Sequence, residues 1–136
     1  MTTETSVIVR YAETDAQGIV HHANYLVWFE EGRSDFLRQH GLNYTDFEHA
    51  GYYIVVAEAN VKYKAPSFYE ERLCVETTLA TVRGKMIKFH YRVIAEDGNV
   101  RAEGNTVHVV VGRDMKPTSL PREMIDKLNE MKASRS

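Results

Sequence analysis

The spacing of apolar residues shifts near residue 53, from the period of a long helix to the period of strands. Residues 7–12, VIVRYA, read as a first strand, and the polar turn ETDAQG follows at 13–18. From Asn24 to Gln39 the positions Tyr25, Trp28, Phe29, Gly32 and Phe36 recur at three and four residues, the pattern of an amphipathic helix. Gly41 stands where a helix C-terminus often needs a left-handed residue.

From residue 53 the segments read as strands. YIVVAEANVKY (53–63) ends before Pro66, and LCVETTLATV (73–82) puts Leu73, Val75, Thr77, Leu79 and Thr81 on one face. MIKFHYRVIA (86–95) alternates Ile87, Phe89, Tyr91 and Val93 with Lys88, His90 and Arg92, and VRAEGNTVHVVVG (100–112) continues in the same style. RGK (83–85) and EDGN (96–99) supply turns, and Asp97-Gly98 is a strong hairpin signal. A last helix starts after Pro121 and runs through REMIDKLNEM (122–131). The order predicts an α+β fold: a strand, a long helix, four strands joined largely by hairpins, then a short helix. The aromatic stripe of the helix needs a sheet to cover, and a meander of four strands would supply it. With no linker or composition shift, residues 1–136 read as a single domain with its core at about 7–130.

Composition narrows the function classes. The 136 residues are 43% hydrophobic and 26% charged, which suits a globular domain rather than a disordered or fibrous chain. A formal net charge of −2 offers no global reason to bind nucleic acid. The beginning of the chain does not read as a secretory signal, nor its end as a lipidation box, and no stretch reads as a membrane span. A cytoplasmic protein is the expectation, and a single cysteine, Cys74, suits a reducing compartment. Cys74, in a strand without flanking charge, reads as a small core residue.

The polar turn is where chemistry is most legible. Asp15 precedes Gly18 by three residues and His22 by seven, between the first strand and the long helix. A helix N-terminus leaves N–H groups without intrahelical partners, and these favour developing negative charge. A carboxylate beside them can act as base or nucleophile while they hold an oxyanion. The simpler reading is an Asp that caps a helix or forms an Asx turn, and from spacing both stay open. His21-His22 are adjacent and lack a nearby third ligand, so no metal is expected. His90 and His108 lie mid-strand and could meet across the sheet. There is no G-x-S-x-G elbow, P-loop or G-x-G-x-x-G. Arg83, Lys85 and Lys88 cluster around one hairpin, with Lys62 and Lys64 as a second basic group. These read as solvated strand edges or as contacts for phosphates of a nucleotide-bearing ligand.

The stretch from Val9 to Tyr25, VRYAETDAQGIVHHANY, resembles the signature of the hotdog-fold acyl-CoA thioesterases. More narrowly, it is similar to the 4-hydroxybenzoyl-CoA thioesterase group and its relatives associated with the bacterial Tol–Pal cluster. The resemblance continues through Trp28, Glu30, Glu31 and Arg33, through VKYKAP at 61–66, and to Pro117, Leu120 and Pro121, covering about residues 7–130. His21 stands where relatives usually carry Tyr or Phe, and Glu13 where Asp is common.

The resemblance implies a five-stranded antiparallel sheet wrapped around a long central helix, in a homodimer or homotetramer with sites between subunits. It implies hydrolysis of an acyl-CoA substrate, with Asp15 and His22 as the catalytic residues. Asp15 would attack directly, giving an anhydride, or activate water, and the His22 backbone N–H would polarise the thioester carbonyl. Tyr25 would line the substrate site. The clustering of Arg83, Lys85 and Lys88 on one hairpin, rather than the resemblance, makes them the candidates to contact the phosphates of coenzyme A. No cofactor is implied, because coenzyme A is part of the substrate. A link to Tol–Pal or phospholipid metabolism rests on the resemblance only. A hotdog hydratase/dehydratase and a non-catalytic acyl-CoA binding module are the alternatives, and the acyl group is open.

Overall fold

The structure is a computed structural model that describes residues 2–133. The strands are β1 (Thr2–Ile8), β2 (Tyr53–Tyr63), β3 (Arg72–Arg83), β4 (Met86–Ala95) and β5 (Val100–Val111), and the helices are α1 (Asn24–Gln39), α2 (Tyr44–His49) and α3 (Arg122–Ala133). The strands form one antiparallel sheet in the order β1-β3-β4-β5-β2. This corrects the expected meander of four. Only β3, β4 and β5 follow one another by hairpins, while β2 pairs with β5 at the far edge. The β2–β3 connection, residues 64–71, therefore crosses the end of the sheet. That crossing brings it to the functional site.

Alternation fixes which residues form the core. Along β4, Ile87, Phe89, Tyr91, Val93 and Ala95 are buried, and the residues between them are partly exposed. On β3, Leu73, Val75, Thr77 and Leu79 face inward, but a bulge between Leu79 and Thr81 shifts the register and takes Thr81 out of the series. The same alternation turns Cys74 to the outer face, which corrects the core reading. Its Sγ lies 3.9 Å from Glu4 Oε2, and partial burial with Glu4 and Glu76 nearby raises its thiol pKa. His90 and His108 do not meet. His90 sits on the outer face against Asn105, while His108 is buried inside.

α1 packs on the inner face through its predicted stripe. Trp28, Phe29, Phe36 and Leu37 are each at most 2% exposed, a burial that contributes roughly 1.5–3 kcal/mol per large side chain before entropy is counted. A Cβ at Gly32 would collide with the Thr77 hydroxyl, so the missing side chain lets the helix sit close to β3.

The first strand is displaced from its expected range, and one helix is additional. The first strand lies at Thr2–Ile8, not 7–12, because polar residues pair with β3 from Thr2↔Thr78 to Ile8↔Arg72. Residues Tyr11–Glu13 instead form a 3-10 turn in which the Arg10 N–H donates to the Glu13 carboxylate. α2 was not expected. Six residues are too few to hold a helix by propensity, but Asn43 and Asp46 form a reciprocal capping box and Phe47 is buried.

Candidate active site

Residues 14–20 form a small hairpin at the N-terminal end of α1. Thr14 bridges to Val20, the Asp15 N–H donates to the Ile19 carbonyl over 2.8 Å, and the Gly18 N–H donates back to the Asp15 carbonyl over 2.9 Å. Gly18 has φ of +83°, a left-handed conformation that side-chain-bearing residues rarely adopt. Asp15 Oδ1 accepts the Gln17 N–H at 2.8 Å, so the Asx turn is real. Asp15 Oδ2 has no hydrogen-bond partner among the described residues.

The hairpin is anchored from two sides. Val20 N–H donates to the Ser67 carbonyl at 2.9 Å, and Ile19 bridges to Phe68, which joins it to the β2–β3 connection. Glu13, only 4% exposed, holds it to α1. The Glu13 carboxylate accepts from the Trp28 indole N–H at 3.0 Å, and its carbonyl accepts from the His21 N–H at 2.7 Å and the Asn24 side chain at 2.9 Å.

The start of α1 leaves one notable donor. Val20, His21, Ala23, Asn24, Tyr25 and Leu26 all donate their backbone N–H within the chain. The His22 N–H has no acceptor among the described residues. The His22 carbonyl accepts the Tyr63 hydroxyl at 3.0 Å, and the two rings meet edge to face. His21 and His22 stack at 4.3 Å rather than converging on a shared point. Among the described residues, no group of three or more His, Cys, Asp or Glu is arranged to hold a metal.

Asp15, His22, Tyr25, Tyr63 and Lys64 line one cavity of about 490 Å³, closed on another side by Ala65 and Pro66. Tyr25 is buried, packs edge-on against Trp28 and Tyr63, and donates to the Ser67 hydroxyl at 3.1 Å. Burial raises the Tyr25 pKa above the ordinary tyrosine range, so it remains a protonated donor. Ser67 in turn accepts from Arg101, whose guanidinium grips Glu71 through two bonds of 2.7 and 2.8 Å. The Arg101 hydrogen bonds hold the Glu71 carboxyl below its usual pKa. This bidentate pair clamps the connection that forms the cavity wall.

The structure thus brings together Asp15, His22 and Tyr25 of the residues read from the sequence. Lys64 also lines this cavity and pairs with Glu103 at 3.8 Å. Arg83 and Lys85 lie elsewhere, at the exposed β3–β4 hairpin, in the row that joins Met86, Val109 and Val55. That row is at the opposite end of β2 from Tyr63, ~25 Å away at the usual rise per residue. Lys88 sits on the outer face of β4, partly exposed. Tyr63, Ser67, Glu71 and Arg101 were missed as site residues. The VKYKAP segment that carries Tyr63 was the one available signal.

Residues 9–128 match the thioesterase-like superfamily. The acyl-CoA thioesterase YbgC of Haemophilus influenzae is 32% identical over 129 residues, covering 93% of each chain. The crystal structure of a DHNA-CoA thioesterase from Staphylococcus aureus superposes with a TM-score of 0.91 at 31% identity, covering 97% of this chain and 91% of that one. The hypothetical protein TT1821 of Thermus thermophilus gives 0.89 at 36% identity, over 94% of this chain and 98% of that one. No helix among the described residues is long and apolar enough to cross a membrane.

Proposed function

The chain belongs to the thioesterase-like superfamily, and we propose on that footing that it hydrolyses acyl-CoA thioesters to a free acid and coenzyme A. One juxtaposition carries the reading: a carboxylate oxygen of Asp15 and a backbone N–H of His22, both without a partner among the described residues, on residues that line one cavity.

Attack on a thioester carbonyl turns its oxygen into an oxyanion. The His22 N–H, at the positive end of α1, is the donor for that charge. Asp15 attacks the carbonyl carbon to give an anhydride that water then opens, or removes a proton from an attacking water. Both routes end in the same acid and thiol. The thiol of coenzyme A leaves readily, so a strong general acid opposite Asp15 is not required. The Asx turn holds one carboxylate oxygen and leaves the other for the substrate.

The β2 edge supports a role for a second copy. β2 is outermost in the sheet, and Val56 on it is 50% exposed. An unpaired edge of eleven residues is an aggregation hazard that pairing removes. Two copies joined antiparallel through β2 would set the Tyr53 end of one strand beside the Tyr63 end of the other. The Arg83–Lys85 hairpin would then approach the partner's Asp15 cavity, where it would meet the phosphates of coenzyme A. A homodimer or homotetramer in the cytoplasm, acting on a soluble acyl-CoA, fits this arrangement.

The test is thiol release from a panel of short, aromatic and long acyl-CoA substrates. Release from at least one class is expected. Tight binding without release would make the chain an acyl-CoA binding module instead.

A further inference from the structure

A second crevice opens between α1 and the inner face of β2. It has a volume of about 250 Å³, is walled by Leu26, Val27 and Val56, and reaches Arg33 and Thr106, with Glu30 beside them. His22, Leu26, Glu30 and Arg33 follow one another at helical spacing, so the crevice continues along the helix face that starts at the Asp15 cavity.

Its inner end is polar in an apolar setting. The Arg33 side chain is 10% exposed, its Nε donates to the Tyr44 hydroxyl at 3.1 Å, and the Tyr91 hydroxyl is a second neutral partner. Among the described residues the only carboxylate near it is Glu30, which is 66% exposed and stands 4.0 Å from Nη2, beyond hydrogen-bond distance. The Thr106 hydroxyl is held by the Tyr91 hydroxyl at 2.6 Å and His108 Nε2 at 2.8 Å, which fixes the floor. A guanidinium carries five N–H donors, and two tyrosine hydroxyls can accept only part of them, which leaves it able to bind a further oxygen acceptor at the crevice end. Apolar walls ending in a few placed polar groups are the usual make-up of a small-molecule site.

We propose that this crevice is an acyl subsite with a polar end, taking an acyl group whose far end carries an oxygen acceptor that Arg33 binds. The inference rests on the thioesterase reading above. From His22 to Arg33 the helix rises ~16 Å, and a long side chain leans back by about a turn, leaving ~10 Å. That is the reach of an acyl chain of roughly six to eight carbons. A hydroxyl and a carboxylate both present the required oxygen. Glu30 favours the hydroxyl, because it would repel a second carboxylate.

The test compares hexanoyl-CoA, 6-hydroxyhexanoyl-CoA and adipoyl-CoA. For the wild-type protein, kcat/KM should be at least about tenfold higher for one of the oxygen-tipped substrates than for hexanoyl-CoA, the scale of one hydrogen bond to a charged group. Arg33→Met should bring that ratio close to one, and Arg33→Lys should restore part of it. If Arg33→Met does not fold, Glu30→Gln decides: it should shift preference from 6-hydroxyhexanoyl-CoA toward adipoyl-CoA, and an unmoved preference overturns the proposal. Equal loss on all three substrates in Arg33→Met would make the residue structural and also overturn it. Hexanoyl-CoA hydrolysed as well as the others by the wild type would sink the subsite while leaving the thioesterase reading intact. No thiol release from any acyl-CoA would remove both.

Discussion

The Trp28 indole N–H donates to the Glu13 carboxylate over 3.0 Å, so the first turns of α1 and the loop that carries Asp15 are tied together. Both residues are at most 4% exposed. Glu13→Ala would leave a buried indole N–H and the Arg10 N–H without this acceptor. The expected loss is about 1–3 kcal/mol of stability, read by urea unfolding. Activity should fall mainly in kcat, because the loop that places Asp15 loses its hold. A variant destabilised by that amount with wild-type kcat would show that other contacts place Asp15.

The donor assigned to His22 belongs to its backbone, which separates two substitutions. His22→Ala keeps the N–H, and activity should stay within about tenfold of wild type. His22→Pro removes it, and kcat should fall by roughly 10²–10³, the scale of a lost oxyanion donor. Circular dichroism checks that both fold. Equal losses would transfer the role to the imidazole ring.

Much of this was legible in the sequence where the signal is local. The α1 stripe, the β4 and β5 alternation and the Asp97-Gly98 turn depend on neighbours a few residues apart, and β2 and β4 run over the residues expected of them. Strand order is not local. Nothing in residues 53–63 says that they pair with β5 rather than β3, and that choice carries the 64–71 connection across the sheet end. Ser67, Glu71 and Arg101 come to brace the cavity wall only through that crossing. Arg33 belongs to the resemblance but was not read as a site residue, because a cation on a buried helix face breaks the apolar pattern used to read it.

For the basic hairpin, Arg83→Ala with Lys85→Ala should raise KM for acyl-CoA and leave kcat mostly unchanged. Exposed contacts of this kind contribute on the order of 0.2–1 kcal/mol each, so the rise should be several-fold. It should shrink with a pantetheine thioester, which lacks the adenosine phosphates. Equal effects on both substrates would make the hairpin structural. Light scattering should also show a dimer or tetramer at assay concentration, and a fully active monomer would contradict a site that spans two copies.

His108 adds a pH dependence to stability. Desolvation first, and the Arg33 charge second, lower its pKa from 6.5 to about 4 in the folded chain. Between those values the unfolded chain binds more protons than the folded one, so stability is present above pH 6.5 and is lost as pH falls toward 4. The loss from this group should be on the order of 3 kcal/mol at most. Urea unfolding across that range should give a shallower pH slope for His108→Leu than for wild type. An unchanged slope would assign the acid sensitivity to other groups.

The most direct measurement is thiol release by Asp15→Asn on whichever acyl-CoA the wild type hydrolyses best. The amide keeps the carbonyl oxygen that accepts the Gln17 N–H, so the hairpin should fold as before. What it loses is the carboxylate that acts as base or nucleophile. The account predicts unchanged circular dichroism and thermal unfolding with turnover reduced by roughly 10²-fold or more. Near-normal turnover in that folded variant would contradict it.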